Sequence, residues 1–235
     1  MRNRYMQQQK IAVFDIDGTI FRKNLAFELI DELAWMRIFK KEVRNTLVSL
    51  YTKWLNHEGT YEEYRKALVA LYAENIKGCK KEQILEASKE VVPFYKNRSY
   101  IFTSELVSKL KKEGYHIVAV SGSPSEIVQE YNKYLGFNAA FGSVYEIDDH
   151  GIYTGKAVFE PTLHKGHVVK QYVVENNLTL SESYGVGDTE SDAKFLEIVE
   201  NPIAFNPNLN LKKIAEERGW KIVVEKKDVI YEINC

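Results

Sequence analysis

The stretch Asp15-Ile16-Asp17-Gly18-Thr19 sets two carboxylates two residues apart, directly after the apolar run Ile11-Ala12-Val13-Phe14. Gly18 permits the chain to turn there. Carboxylates grouped in this way can hold a cation or act as nucleophile, acid or base; taken alone, the same residues also suit a plain Asp-Gly turn. A second acidic stretch, Gly187-Asp188-Thr189-Glu190-Ser191-Asp192, follows the weaker run Ser183-Tyr184-Gly185-Val186. Asp188 and Asp192 stand four residues apart, one helical turn, and would share a face. Ser121 ends a further apolar run, Ile117-Val118-Ala119-Val120, and Lys165 stands in His164-Lys165-Gly166.

These polar groups need elements to position them. The three runs lack polar alternation and read as strands buried on both faces, as in parallel sheets. Residues 203–205 and 222–224 supply a fourth and a fifth. Helical patterns lie between. Residues 103–113 carry Leu106 and Leu110 and stop at Gly114. Ser123 and Pro124 suit the N-cap and first position of a helix through Ile127, Val128, Tyr131 and Leu135, closed by Gly136. Val168, Val169, Tyr172 and Val173 mark a helix after Lys165. Strands alternating with helices predict a doubly wound α/β sheet, which binds ligands outside the carboxyl ends of its strands. Asp15, Ser121 and Asp188 all fall at such ends.

Two segments depart from the alternation. Residues 22–98 show helical spacing only, at Leu25/Leu29/Leu33/Met36, Val43/Leu47/Leu50/Trp54, Tyr61/Tyr64/Leu68/Leu71 and Ile84/Leu85/Val91. This predicts a four-helix insertion broken at Gly59, Gly78 and Pro93. The expected division is a core of residues 1–21 and 99–235 and a helical unit of residues 22–98. Within residues 143–159, two extended runs flank Asp148-Asp149-His150-Gly151 and predict a β-hairpin.

The composition excludes several classes. With 32 Lys and Arg against 33 Asp and Glu, the net charge of −1 gives no chain-wide basic footprint for nucleic acid. No apolar run approaches the ~20 residues of a membrane span, and Met1 to Lys10 lack the apolar segment of a signal peptide. Cys79 and Cys235 have no metal-ligand spacing and read as free thiols. The expectation is a cytoplasmic monomer or homodimer without membrane or nucleic-acid partners. Gly185-x-Gly187 lacks the third glycine of a dinucleotide loop. His164 and His167 read as partly exposed polar residues, Lys80-Lys81 as a solvated turn, and Trp35, Trp54, Tyr61 and Tyr64 as cap core.

Together the motifs resemble those of the haloacid dehalogenase superfamily of phosphatases. Asp15-Ile16-Asp17-Gly18-Thr19 resembles the first motif, Ser121 the second, Lys165 the third, and Gly187-Asp188-Thr189-Glu190-Ser191-Asp192 the fourth. They occur in family order across residues 11–205. The helical insertion resembles the cap of the branch that contains phosphoserine phosphatases.

The resemblance implies a Rossmann-like core and hydrolysis of a small phosphate ester. Asp15 would be the nucleophile that forms an aspartyl-phosphate, and Asp17 the general acid and then base. Mg²⁺ would be held by the Asp15 and Asp188 carboxylates and the Asp17 backbone carbonyl. Asp192 would support that metal from behind, holding a metal-bound water or Lys165. Ser121, Gly122, Thr19 and Lys165 would bind the phosphoryl group, with help from the helix N-terminus at Ser123-Pro124. Asp17 speaks against dehalogenase chemistry, because the family's dehalogenases lack that second Asp. Transfer of the phosphoryl group to another alcohol, or a non-catalytic scaffold role, remain the alternatives.

The cap would close over the site and choose the leaving group. Phosphoserine phosphatases carry a Glu nine residues after the nucleophile; here that position is Asn24. Ser121-Gly122-Ser123-Pro124 also departs from their Ser-Gly-Gly pattern. Asn24 and Arg65 are the expected specificity residues in the cap.

Overall fold

The computed structural model describes residues 8–233, so Met1 to Gln7 and the last two residues, Asn234 and Cys235, lie outside it. Strand β1 (Gln9–Phe14) shows why its apolar run is continuous. Ile11 and Val13 enter one hydrophobic cluster, Ala12 and Phe14 the other, so both faces of the strand are covered. β2 (His116–Pro124) repeats the pattern, with Val118 and Val120 on one side and Ile117 and Ala119 on the other.

The sheet has eight strands among the described residues, in the order β4-β3-β2-β1-β5-β6-β7-β8. β3 (Ala139–Ile147), β2, β1, β5 (Leu178–Gly187), β6 (Asn201–Phe205) and β7 (Lys221–Lys226) run parallel. β4 (Tyr153–Phe159) and β8 (Val229–Ile233) close the two edges antiparallel. Helices α7 (Pro161–Glu175), α8 (Ala193–Leu196) and α9 (Leu209–Arg218) cover one face through Val169, Phe195 and Leu211. α5 (Ile101–Lys112) and α6 (Ser125–Leu135) cover the other through Leu110, Ile127 and Tyr131. This is a doubly wound α/β architecture. Among the described residues, no helix is long and apolar enough to cross a membrane.

The insertion consists of α1 (Leu25–Trp35), α2 (Lys41–Leu55), α3 (Tyr61–Ile76) and α4 (Lys81–Tyr95). Its Leu29, Leu68 and Ile84 belong to the same cluster as Phe14 and Phe21 of the core. The two connecting segments are bonded to each other: Arg22 donates its backbone N–H to Arg98 at 2.9 Å, and Tyr100 to Ile20 at 3.0 Å. A second attachment joins the α3–α4 connection to the β3–β4 hairpin. Gly78 donates to the Tyr153 carbonyl and Tyr153 to that of Cys79, both at 2.9 Å, and Lys81 to that of Gly151 at 3.0 Å.

Several local expectations are corrected. α6 begins at Ser125 with Pro124 as its N-cap, one residue later than expected; Ser123 remains in β2, where its hydroxyl is bonded to Asp17 and Ala26. Pro93 lies inside α4 and does not break it, since the helix ends two residues later and only a final-turn hydrogen bond is lost. The break between α1 and α2, at residues 36–40, carries no glycine or proline. The hairpin forms as expected, with Asp148 Oδ1 accepting from the backbone of His150 and Ile152 at 2.9 Å each. Its first strand, however, starts at Ala139 and pairs with β2.

Candidate active site

β1 delivers Asp15 to the carboxyl edge of the sheet, where its N–H donates to Val186 of β5 at 2.9 Å. The carboxylate is almost wholly buried. Its Oδ1 accepts from Lys165 Nζ at 2.5 Å, while Oδ2 accepts no hydrogen bond from the described residues. Lys165 is equally buried and also donates to Asp192 Oδ1 at 2.5 Å. It follows a kink in α7, where His164 leaves helical geometry at φ −139°. His164 and His167 themselves point to the exposed side.

Asp192 is saturated. Its Oδ2 accepts from the backbone of Asp188 at 3.0 Å and Thr189 at 2.9 Å, and from the Thr189 hydroxyl at 3.2 Å. It therefore fixes the loop after β5 and, with it, the position of Asp188. Gly187 is required by this arrangement, since a Cβ there would fall 2.4 Å from that of Asp192. Gly18 is required as well: its φ is +82°, and a Cβ would lie 2.1 Å from Asp188 Oδ2.

Asp17 is held by three donors. The Leu25 backbone reaches Oδ1 at 2.6 Å, and the Ser121 and Ser123 hydroxyls reach Oδ2 at 2.8 and 2.7 Å. The Ser123 hydroxyl accepts in turn from the backbone of Ala26, so core and cap meet at this carboxylate. Burial raises the Asp17 pKa, and the three donors oppose it. Burial also raises Asp15, where the pull of Lys165 is opposed by Asp192 and Asp17. Asp188 is pushed well up by burial and by the Asp15 and Asp192 carboxylates. Lys165 is held raised because Asp15 and Asp192 outweigh the cost of its burial.

Carboxylate oxygens of Asp15, Asp188 and Asp192 lie within 4.8 Å of one another. The donor set is all oxygen, and Asp188 accepts no side-chain hydrogen bond from the described residues. Such a site fits a hard divalent cation such as Mg²⁺. Asp192, with both oxygens engaged, is left to support the site from behind.

The other expected residues are placed unevenly. Gly122 lines a small cavity together with Asp15, Asp17, Lys165 and Ser123, and Thr162 stands where its Cβ would be. Ser121 is buried, its hydroxyl donating to Asp17 and accepting from the Ser123 backbone. Recognition of phosphate by Ser121 would have to displace that bond. Thr19 is buried and does not line the small cavity; its carbonyl accepts from Thr103. Arg65 lines the cavity but is bound bidentately by Glu62, at 2.8 Å for each bond. Asn24 caps α1, its Oδ1 accepting from Phe27 at 3.0 Å.

A larger cavity of about 490 Å³ adjoins the first, with Asn24, Tyr61 and Asp188 lining both. It separates the cap from the core loops that carry Gly18, Tyr100 and Asn206. Trp54, Tyr61 and Tyr64 pack on the hydrophobic core and also line this cavity, whereas Trp35 is 70% exposed, which corrects its reading as core. Sequence reasoning also missed Ser123 as a site residue. Its signal was available: residues two apart on a strand share a face, and Ser123 stands two after Ser121.

A family model for haloacid dehalogenase-like hydrolases matches residues 12–197, most of the chain. The chain belongs to that family. Among its relatives is a putative hydrolase of Mycobacterium leprae, 28% identical over 222 residues, covering 90% of this chain and 71% of that one. A phosphoserine phosphatase of Mycobacterium tuberculosis is likewise 28% identical, covering 90% and 69%. A histidinol-phosphatase of Neisseria meningitidis is 23% identical, covering 92% and 98%. The fold of this haloacid dehalogenase-like hydrolase is similar to that of a Bordetella pertussis protein of unknown function, with a TM-score of 0.72 at 24% identity, covering 92% and 98%. It is also similar to a phosphoserine phosphatase solved as a phospho-aspartyl intermediate analogue, with a TM-score of 0.65 at 22% identity, covering 94% and 96%.

Proposed function

We propose that this hydrolase cleaves a small phosphate monoester through an aspartyl-phosphate on Asp15. The observation that carries the reading is the state of the Asp15 carboxylate: buried, with Oδ1 fixed by Lys165 and Oδ2 left as the attacking atom. Relatives named as phosphoserine and histidinol phosphatases support the same reaction class.

In the first step Oδ2 bonds to phosphorus, the phosphorus–alkoxide bond breaks, and Asp17 gives its proton to the departing oxygen. In the second, Asp17 takes a proton from water as the water oxygen bonds to phosphorus. The acyl-phosphate bond breaks, releasing inorganic phosphate and restoring Asp15. Lys165 neutralises phosphoryl oxygens as a compact charge. Asp15, Asp188 and the Asp17 carbonyl would hold Mg²⁺, which supplies positive charge against the phosphoryl group in its transition state. Residues 22–98 act as a cap that forms the chamber for the alcohol, and residues 1–21 and 99–235 act as the catalytic unit. Neither Asn24, which caps a helix, nor Arg65, which is paired with Glu62, offers a free charge for phosphoserine.

The experiment is a quench. Wild-type protein is mixed with a ³²P-labelled phosphate ester and Mg²⁺, then denatured in acid. Alkali-labile label on the wild type and none on Asp15→Asn is the expected result. Turnover without label on the protein would overturn the covalent step.

A further inference from the structure

The cap wall of the larger cavity is built from rings that hold one another. Trp54 and Tyr64 stack, their centroids 5.5 Å apart and their planes within 16°. Tyr61 meets Trp54 edge-on at 5.4 Å, and Tyr51 lies 5.6 Å from Trp54 and 6.0 Å from Tyr64. Interlocked rings of this kind present a π surface that is fixed before anything binds.

The cations around the two cavities are already matched. Lys23 Nζ lies 2.6 Å from the buried Glu28 and sits 4.7 Å over the Tyr95 ring. Arg22 is paired with the buried Glu225, and Arg65 with Glu62. The carboxylate of an α-amino-acid headgroup would have to break one of these pairs, and its ammonium would have to break another or compete with the metal for Asp188. A neutral ring breaks none. A volume of about 490 Å³ is also far larger than a three-carbon alcohol fills.

We propose that the alcohol half of the substrate carries a flat, uncharged aromatic or heteroaromatic ring, stacked on the Trp54 and Tyr64 wall while its phosphoryl group faces Asp15. This rests on the phosphomonoesterase reading above. Tyr61 and Asn24, which line both cavities, stand at the passage between ring and phosphoryl group.

The test uses the full chain with Mg²⁺ and four probes: benzyl phosphate, cyclohexylmethyl phosphate, phosphocholine and phosphoserine. kcat/KM is measured for wild type, Trp54→Leu and Tyr51→Leu, and the affinity of each probe for Asp15→Asn is measured by calorimetry. Benzyl phosphate is expected to lead the other three by about tenfold or more, the scale of a stacked ring. That lead should shrink to about threefold or less in Trp54→Leu. Tyr51→Leu, at a partly exposed position, should shrink it less and keeps the test intact if Trp54→Leu fails to fold. A lead for phosphocholine or phosphoserine, or parity between benzyl and cyclohexylmethyl phosphate, overturns the proposal. If no ester is hydrolysed, the reaction reading fails, and the affinities alone decide the ring: a benzyl lead upholds it and equal affinities overturn it.

Discussion

Lys165 and Asp192 meet at 2.5 Å in the buried floor of the site, and the second oxygen of Asp192 holds the loop that carries Asp188. The ion pair thus does structural and electrostatic work at once. Replacing Lys165 by Met leaves the carboxylates of Asp15 and Asp192 buried without their cation. Breaking a buried pair on one side costs about 3–5 kcal/mol. Urea denaturation in the presence of chelator should read a loss on that scale. A loss under 1 kcal/mol would mean that the pair is not an organising element.

Asp15→Asn separates chemistry from folding. The amide oxygen still accepts from Lys165, and one of several crowded carboxylates is removed. Turnover should fall by about 10⁴-fold or more, as for other essential nucleophiles, while the melting temperature stays level or rises. Steady-state kinetics and a thermal melt on the same preparation check both halves.

Divalent metal should stabilise the wild type. The Asp15 and Asp188 carboxylates are held up by burial and mutual repulsion, and a bound cation relieves both. At a hundredfold excess over its Kd, Mg²⁺ should add about 2.7 kcal/mol. Asp188→Ala should lose that increment and the activity together. Melts in chelator and in MgCl₂ give the comparison, and full activity in excess chelator would refute the metal's role.

His116 provides a pH effect remote from the chemistry. Burial lowers its pKa from the usual 6.5, so the unfolded chain takes up the proton at higher pH than the folded one. The corresponding stability is complete above about 6.5 and lost as pH falls through the folded value. His116→Gln should flatten the decline in melting temperature between pH 7 and pH 5.

The family and the doubly wound core were legible because both are written in local spacing. A buried parallel strand must be apolar at every position, and the residue that ends it stands at the ligand-binding edge; Asp15 and Asp188 follow from that alone. The aromatic chamber was not legible. Trp54, Tyr61 and Tyr64 have the helical spacing of core residues, and only the packing of α2 against α3 turns their rings toward a cavity. The burial of Thr19 away from the small cavity was not legible either, because adjacency to the motif does not say which way a side chain faces. β8 was missed although Val229, Ile230 and Tyr231 form a short apolar run; most of its side chains are solvent-exposed, so it is an edge strand and not one of the buried kind.

The bonds between Gly78, Cys79 and Lys81 of the insertion and Gly151 and Tyr153 of the hairpin change how the chamber can breathe. A lid swinging about residues 20–22 and 98–100 would have to tear three backbone bonds at its far side, at about 0.5–1.5 kcal/mol each. The insertion is therefore a vault pinned at two corners, not a flap on one hinge. Its outer helix α2 packs on its neighbours α1 and α3 and bears the exposed faces of Tyr51 and Leu55. In hydrogen exchange, the amides of Gly78, Lys81 and Tyr153 should outlast those of α2. A wall pinned in this way keeps its rings in place whether the chamber is filled or empty, so an occupant enters a room already built and not one assembled around it.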